Sequence, residues 1–398
     1  MHFRDVNLCW MMSQMVESNS NRFELVDSDE RLNELCQELY SEKLLALDTE
    51  FVRTNTFYGQ LGLIQLYAAQ ACFLIDPIKV NSWDTFCEIF CEPTRLVILH
   101  SASEDLNLLS TSLNITPSCL FDSQIAGAFL GLGFSLSYQA IVQLILGQHV
   151  EKDVTRSNWL ARPLSKRQLR YAADDVFYLP ALEENLRKQL ILENKVDWFE
   201  DECLALLEIS RGFEDPSNWE SSYSQISGSW KLATENLECL QQLCYWRETQ
   251  ARQRNKPKSW IAKDSDLLTM STIIGDSNHI SIKTLMEETK IDKRFLDRDG
   301  EEIIERLSNS RYQLKPIEKG VLNYPLSSSS RKILKQCQER VSEIAAKLSI
   351  VPELLARKRL LQKLVKDYEY SGTLIWPKEF SGWRKEVLND SLTQIFSS

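Results

Sequence analysis

The sequence predicts an α/β domain, a mixed sheet covered by helices, followed by two small all-α domains. Two patterns in the hydrophobic residues carry this prediction. Before about residue 135, short apolar runs of strand length alternate with segments of helical spacing; after it, only the helical spacing continues. A chain of 398 residues also exceeds the size of one compact core, so two or three domains are expected.

The strands and helices of the first half are assigned from apolar runs and turn signals. The predicted strands are Leu44–Leu47 running on to Val52, Leu61–Tyr67, Ala71–Ile75 and Leu96–Leu99. A turn at residues 68–70 joins the second and third strands into a hairpin. One helix is expected over Ser82–Cys91, and another begins after Ser101 or Ser103, either of which can cap it. From about Ser135 onward the pattern predicts helices throughout.

Breaks rich in proline and serine divide the second half of the chain. They lie at Asp215–Ser229 and Tyr324–Ser330 and leave two segments, each the size of a small domain. The predicted organisation is an unstructured leader over residues 1–21, the α/β domain over 22–210, and helical domains over 228–310 and 325–398.

Composition excludes several classes of protein. No apolar run approaches the ~20 residues that span a bilayer. The N-terminus lacks a signal-peptide pattern, so a cytoplasmic location without membrane attachment is expected. The ten cysteines are scattered singly and form no zinc motif, which indicates reduced thiols, and the four histidines form no cluster. Any metal is therefore expected to be a hard cation held by carboxylates.

Charge is distributed unevenly along the chain. The formal net charge of −10, taken alone, argues weakly against a nucleic-acid partner. However, residues 247–263 carry six basic residues against one acid, and residues 331–366 carry ten against three. Such stretches are most often solvated helix faces, and the alternative is a surface that binds phosphates.

The first candidate site is the segment Asp48-Thr49-Glu50 at the end of the first apolar strand. Side chains alternate along a strand, so Asp48 and Glu50 share one face and Thr49 points to the other. Two carboxylates side by side repel each other unless something neutralises them, and a divalent cation is the usual solution. The alternative is a strand that simply ends in solvent, because an acid pair with this spacing is common.

Two further segments add acids to this pair. Asp105 follows the fourth predicted strand in the first turn of a helix, where the helix dipole alone would stabilise it. Tyr171 and Asp175 are one helical turn apart and project from one face, which is also typical of a structural pair. Together the three segments supply four carboxylates and one phenol, a set suited to two divalent ions and in-line phosphoryl displacement.

Three neighbouring polar residues are left out of this set. Asp122 lies between a short apolar piece and a helix, where a capping or supporting role suffices. Asp174 turns away from the face of Tyr171 and Asp175. His100 ends the fourth strand and is expected to be packed, with a place along a substrate channel as the alternative.

Three segments resemble the motifs of one nuclease superfamily. Residues 47–53 with 59–66 resemble the first exonuclease motif of the DEDD superfamily, residues 100–106 the second, and residues 159–164 with 171–176 the third in its tyrosine-bearing form. In this order they resemble bacterial ribonuclease D. Residues 230–254, 354–359 and 381–384 are similar to the two helical HRDC domains of that family, so the resemblance covers nearly everything from Phe23 to Phe396.

The resemblance implies an activity, a cofactor and residue roles. The activity is 3′→5′ exoribonuclease hydrolysis on a ribonuclease H-like fold, releasing nucleoside 5′-monophosphates, with two Mg²⁺ or Mn²⁺ ions as cofactor. Asp48 would bridge both ions, Glu50 and Asp175 would complete one of them, and Asp105 would hold the other. Tyr171 would orient the attacking water together with Glu50.

The implied substrate is RNA, specifically tRNA precursors with 3′ extensions, and no obligate protein partner is evident. The helical domains would position the RNA through contacts of lysine and arginine with phosphates. Two alternatives stay open. One is a 3′→5′ exonuclease acting on DNA, because phosphodiester chemistry does not require the 2′-hydroxyl. The other is a catalytically inactive RNA-binding scaffold.

Overall fold

The computed structural model describes residues 23–151, 157–275, 281–308, 314–317, 322–380 and 382–397. It divides into two compact units. The first comprises the residues up to Val52, Gln60–Gly127 and Ser135–Ser210; the second comprises Arg53–Gly59, Ala128–Phe134 and the chain from Arg211 onward. The leader predicted over residues 1–21 lies outside the described residues, and the domain boundaries drawn from the sequence stay predictions.

The first unit is built on a mixed sheet with the strand order β1-β4-β3-β2-β5-β6. The strands are β1 (Glu24–Val26), β2 (Leu44–Val52), β3 (Gln60–Ala68), β4 (Ala71–Ile75), β5 (Leu96–Leu99) and β6 (Cys119–Asp122). β3 runs antiparallel to β2 and β4, whereas the pairs β1–β4, β2–β5 and β5–β6 are parallel. The strand that carries Asp48 and Glu50 therefore has a neighbour on each side.

Helices cover this sheet, which confirms the predicted α/β class. They are α1 (Asp29–Glu38), α2 (Asp84–Phe90), α3 (Ser103–Leu113), α4 (Ser123–Phe129), α5 (Tyr138–Leu146), α6 (Lys166–Phe177), α7 (Leu179–Leu192) and α8 (Val196–Arg211). α6 packs against β2, β3 and β4, while α7 contacts β5. The core between sheet and helices includes the fully buried Leu47, Leu66, Ile98 and Leu179.

The predicted hairpin is confirmed, although Ala68, which was expected in the turn, belongs to β3. β3 pairs with β4 from Ile64↔Ile75 to Ala68↔Ala71. The turn residues Ala69 and Gln70 both have positive φ, at 48° and 63°. This backbone conformation matches the right-handed twist of the two strands that it joins.

The structure differs from the sequence prediction in three additional elements and in the N-cap of one helix. β1, α1 and β6 were not predicted as elements. Neither serine caps α3: its N-cap is Ala102, and the buried Asp122 carboxylate accepts hydrogen bonds from the N–H groups of Ser101 and Ala102 at 3.1 and 2.8 Å. Because Asp122 ends the neighbouring strand β6, this contact is long-range and invisible to local sequence patterns.

The prediction of helix throughout the chain after Ser135 is wrong. The described residues between α5 and α6, 147–151 and 157–165, are irregular. Arg162 holds this segment to the sheet: two of its nitrogens lie 2.6 Å from the Asp76 carboxylate, and it donates to the carbonyls of Gly62 and Trp159 at 2.7 and 2.8 Å. Hydrogen bonds of the Arg162 side chain thus fix this segment, whose described residues form no helix.

The second unit is helical. Its helices are α9 (Thr234–Gln253), α10 (Lys258–Ile261), α11 (Asp264–Gly275), α12 (Ile282–Glu288), α13 (Lys293–Ser308), α14 (Ser328–Lys347), α15 (Pro352–Leu355), α16 (Lys358–Ser371) and α17 (Trp383–Phe396), with short 3₁₀ turns at 216–218, 222–225, 229–231 and 378–380. Leu240, Leu243 and Met270 belong to the core around α9 and α11. Farther along the chain, α14 packs against α15, α16 and α17.

The described cysteines are all free thiols. Those at 36, 72, 203, 239, 244 and 337 are buried, and those at 87, 91 and 119 are half-buried. Among the described residues, the helices lack the combination of length and apolar character that a bilayer crossing requires.

Arg162→Met should destabilise the first unit strongly, because it leaves the Asp76 side chain, 3% exposed, as an unpaired buried charge. We expect the free energy of unfolding in urea to fall by about 3–5 kcal/mol. The matched control is Lys79→Met, which removes a cation from an exposed pair with Asp27 and should cost about 1 kcal/mol or less. Equal losses in both variants would contradict the anchoring role of Arg162.

Candidate active site

Asp48 and Glu50 lie within β2, not at a solvated strand end. Asp48 pairs with Gln65 of β3 and Glu50 pairs with Leu63, and the register shifts immediately after Glu50. Both acids are half-buried. Such an irregularity bends a strand and re-aims its side chains, so β2 changes direction directly beyond the two acids. The alternative of a strand that simply ends in solvent does not hold.

Asp105 lies in the first turn of α3, directly after β5, and is 7% exposed. The Thr49 hydroxyl donates a hydrogen bond to its carboxylate. Sequence reasoning assigned Thr49 no role because it points away from Asp48 and Glu50. Its position between the two acids was the available signal, but the partner Asp105 is 56 residues away along the chain.

Tyr171 and Asp175 come from α6, which begins with a capping box formed by Ser165 and Gln168. The predicted spacing holds, since both residues lie on this helix and, after burial, the charge of Asp175 is the largest cause of the raised pKa of Tyr171. The Tyr171 ring lies 6.2 Å from that of the buried Trp159, which precedes the helix in the chain. The irregular segment before α6 thus packs against the tyrosine.

A cavity of about 120 Å³ is lined by residues of β2, α5, α6 and α7 and by His100, which follows β5. Its lining is Leu47, Asp48, His100, Tyr138, Gln139, Tyr171, Asp175 and Leu179. Three of the five predicted site residues therefore meet in one cavity. Glu50 and Asp105 are not among the lining residues, although their charges act on Asp48.

Electrostatic interaction joins all four acids. Burial, followed by the charges of Asp105, Asp175 and Glu50, raises the pKa of Asp48 well above its usual range. Burial and the charges of Asp175 and Asp105 raise the pKa of Glu50 to about 8. Burial also raises the pKa of Asp105 and Asp175, although hydrogen bonds from their hydroxyl partners act in the opposite direction.

The donor set has the chemistry that suits a hard divalent cation. Carboxylates that raise one another's pKa mark a region of negative potential, and a cation among them would favour their ionised forms. Within the described ranges, no three or more possible ligand side chains are already closed into a metal-binding cluster. The acids therefore interact electrostatically but do not converge on one point.

His100 and Tyr138 line the cavity without a free polar group. The His100 Nε2 lies 3.0 Å from the Leu136 carbonyl, which can only accept, so this nitrogen carries the proton. Its Nδ1 lies 2.8 Å from the Ser123 hydroxyl. The Tyr138 hydroxyl donates to the Asp174 carbonyl at 3.0 Å. Burial lowers the pKa of His100, so its imidazole ring is uncharged at neutral pH where it lines the cavity.

The supporting role expected for Asp122 is confirmed. Its carboxylate is 1% exposed and accepts hydrogen bonds from backbone N–H groups at the start of α3 and of α4. The start of α3 carries Asp105. Asp122 therefore supports the position of an acid of the cluster from the neighbouring strand.

In the basic stretch at residues 247–263, fewer cations are available to a phosphate than a count of charges indicates. Most of its cations are paired with acids inside the helical unit. The ion pairs are Arg247–Asp264 at 2.6 Å and Arg252–Glu248, Arg254–Asp299 and Lys258–Glu248, each at 2.7 Å. In the second stretch, by contrast, Arg357, Lys358 and Arg359 are all exposed.

Two family models match the chain. The model of 3′-5′ exonucleases matches residues 23–191, which contain every predicted site residue. The model of the HRDC domain matches residues 236–307, which span α9 to α13 apart from its last residue and the first two of α9.

Whole-length relatives agree with these matches. The chain is 32% identical over 373 residues to ribonuclease D of Pseudomonas paraeruginosa, covering 94% of this chain and 97% of the relative. It is 32% identical over 376 residues to ribonuclease D of Haemophilus influenzae, covering 93% and 92%.

A solved structure has the same architecture. The crystal structure of Escherichia coli RNase D, described as an exoribonuclease involved in structured RNA processing, aligns with a TM-score of 0.81 at 28% identity, covering 95% of this chain and 99% of that one. The sheet, the helical unit and the full-length similarity agree. The chain belongs to the ribonuclease D family of 3′→5′ exoribonucleases.

Proposed function

We propose that this chain shortens RNA from its 3′ end by hydrolysis at the site of Asp48, Glu50, Asp105 and Asp175, releasing nucleoside 5′-monophosphates. The observation that carries the proposal is the mutual electrostatic interaction of four acids from β2, α3 and α6 beside one cavity. Such a cluster is costly in a folded protein unless a cation neutralises it, and phosphoryl transfer is the reaction in which paired cations are most useful.

The four carboxylates would hold two divalent ions, either Mg²⁺ or Mn²⁺. When bound, the ions would lower the pKa of water and stabilise the charge of the transferring phosphoryl group. Asp48 is central because the charges of the other three acids all raise its pKa. Burial, reinforced by the acids, also raises the pKa of Tyr171. Its phenol therefore stays protonated and acts as a hydrogen-bond donor that orients water, not as a base.

The proposed substrates are structured RNAs with single-stranded 3′ tails, with tRNA precursors as the specific case. The family supports RNA, and the E. coli relative is described as acting in structured RNA processing. The segment from α14 to α17 would serve as a second HRDC domain. Its exposed Arg357, Lys358 and Arg359 would contact phosphates, giving affinity that depends on salt but not on base sequence.

The activity is tested with a 5′-labelled RNA hairpin that carries a short 3′ tail. With Mg²⁺ we expect a ladder that shortens from the 3′ end and releases 5′-mononucleotides. Asp48→Asn should lower the rate by at least about 10³-fold, because it removes the charge at the centre of the cluster. EDTA should abolish the activity of the unaltered protein.

A DNA of the same sequence distinguishes the alternatives. Faster hydrolysis of the DNA would favour a DNA exonuclease. RNA binding without cleavage, under both Mg²⁺ and Mn²⁺, would mean that the chain is an inactive scaffold.

The pKa shifts predict how stability depends on pH when metal is removed. In the unfolded chain the four acids titrate at ordinary values near 4, whereas in the folded protein the pKa of Glu50 is about 8 and those of the other three are raised. Between these limits the folded state binds more protons than the unfolded state, so its stability falls as pH rises.

We therefore expect these acids to make the free energy of unfolding in EDTA fall from about pH 5 to about pH 8. Mg²⁺ should restore more stability at the higher pH, because protons no longer compete with it there. Denaturation in urea measures both effects, and Asp48→Asn should flatten the pH dependence. A wild-type protein that has the same pH dependence as this variant would contradict the shifted pKa values.

The phosphate contacts are tested by replacing Arg357, Lys358 and Arg359 together with alanine. We expect weaker RNA binding and a decrease of about 1 per removed contact in the slope of log affinity against log salt. Fluorescence anisotropy at several salt concentrations measures both quantities.

A control variant carries the same charge change in the first helical domain, at three exposed residues of the α12–α13 region. These residues are Lys290, Lys293 and Arg294. Equal effects in the two variants would indicate a response to overall charge, and an unchanged salt slope in the first would remove the proposed contact surface.

A further inference from the structure

Gln65 on β3 is a buried polar residue without a visible structural purpose. Its side chain is 0% exposed, and among the described residues neither its amide nitrogen nor its amide oxygen has a hydrogen-bond partner. Its strand neighbours Ile64 and Leu66 are fully buried apolar residues. A buried amide without partners lowers stability relative to an apolar side chain of the same size, so a leucine would serve the core better.

The position of Gln65 in the sheet places it beside Asp48. In the antiparallel pairing of β2 and β3, Gln65 is directly opposite Asp48. Opposed residues of an antiparallel pair place their side chains on the same face, with Cβ atoms about 4.5–5.5 Å apart. The side chains of Gln65 and Asp48 therefore leave the backbone at adjacent positions on one face of the sheet.

The same face is the one that α6 covers. Tyr67, two residues after Gln65 and so on its face, contacts Phe177 of α6 with ring centroids 5.7 Å apart. α6 packs on β2 and β3 and carries Tyr171 and Asp175. Gln65 thus lies in the layer between the sheet and the helix that completes the acidic cluster.

We propose that Gln65 is a positioning residue for Asp48. Its amide N–H₂ donates a hydrogen bond to the Asp48 carboxylate when that carboxylate binds a cation, and so fixes the orientation of the ligand. A carboxylate that coordinates a metal keeps lone pairs for such outer partners, and these partners strengthen metal binding. The inference rests on the proposed function, because it assumes that Asp48 is a metal ligand.

If Gln65 positions Asp48, replacing it should weaken metal binding without lowering the stability of the fold. A residue that only packs in the core would not give this combination. Gln65→Leu removes the unsatisfied amide and keeps the apolar volume. We expect its melting temperature in EDTA to equal or exceed that of the unaltered protein. Its dissociation constant for Mg²⁺, measured by isothermal titration calorimetry, should rise about 10–100-fold. With RNA, kcat at limiting Mg²⁺ should fall while KM changes little.

Two further variants keep the test decisive. Gln65→Met offers a flexible side chain if leucine does not fit, and it should behave in the same way. Ile64→Val alters the opposite face of the same strand and should lower the melting temperature slightly with no change in Mg²⁺ affinity. Unchanged Mg²⁺ affinity in both Gln65 variants would overturn the proposal, as would failure of both to fold in EDTA.

The unaltered protein separates this proposal from the proposed function. If it binds Mg²⁺ but releases no nucleotide from RNA, the proposed function fails and the calorimetric comparison still tests Gln65. If it binds no Mg²⁺, the metal site and the role of Gln65 fail together.

Discussion

Four carboxylates lie close together in the first unit, and the surrounding fold has to hold them there against their mutual repulsion. Asp48, Glu50, Asp105 and Asp175 raise one another's pKa or have it raised by burial, so each is held where its charge is least stable. Asp48 and Glu50 lie on the central strand β2, whereas Asp105 lies on α3 and Asp175 on α6. The surrounding core must therefore offset this repulsion, as the rest of a fold commonly does for a functional site.

Outer contacts hold the acids in place. Thr49 donates to Asp105, Asp122 accepts from the start of the helix that carries Asp105, and Arg162 ties the segment before α6 to the sheet. These contacts position parts of the cluster, but the four carboxylates are not brought together around a single metal position. Contacts of this kind, outside the ligands themselves, help to fix the orientation of side chains that bind a metal.

Sequence patterns predicted the parts of this site that depend on local spacing. The apolar run before Asp48, the i,i+4 relation of Tyr171 and Asp175, and the hairpin after β2 are all set within a few residues, and all appear in the structure. The partners of Thr49 and Arg162 come from distant segments, so periodicity and propensity carried no signal for them. The same limit explains the basic stretch at 247–263, where acids such as Asp299 neutralise cations that a charge count treats as available.

A crystal of the protein soaked in MnCl₂, with anomalous diffraction recorded at the manganese edge, shows whether the four carboxylates bind metal ions. We expect two anomalous peaks among the carboxylates of Asp48, Glu50, Asp105 and Asp175, with the Gln65 amide turned toward Asp48. Peaks held by other residues, or no peak at a Mn²⁺ concentration that supports hydrolysis, would show that the four acids are not the metal site.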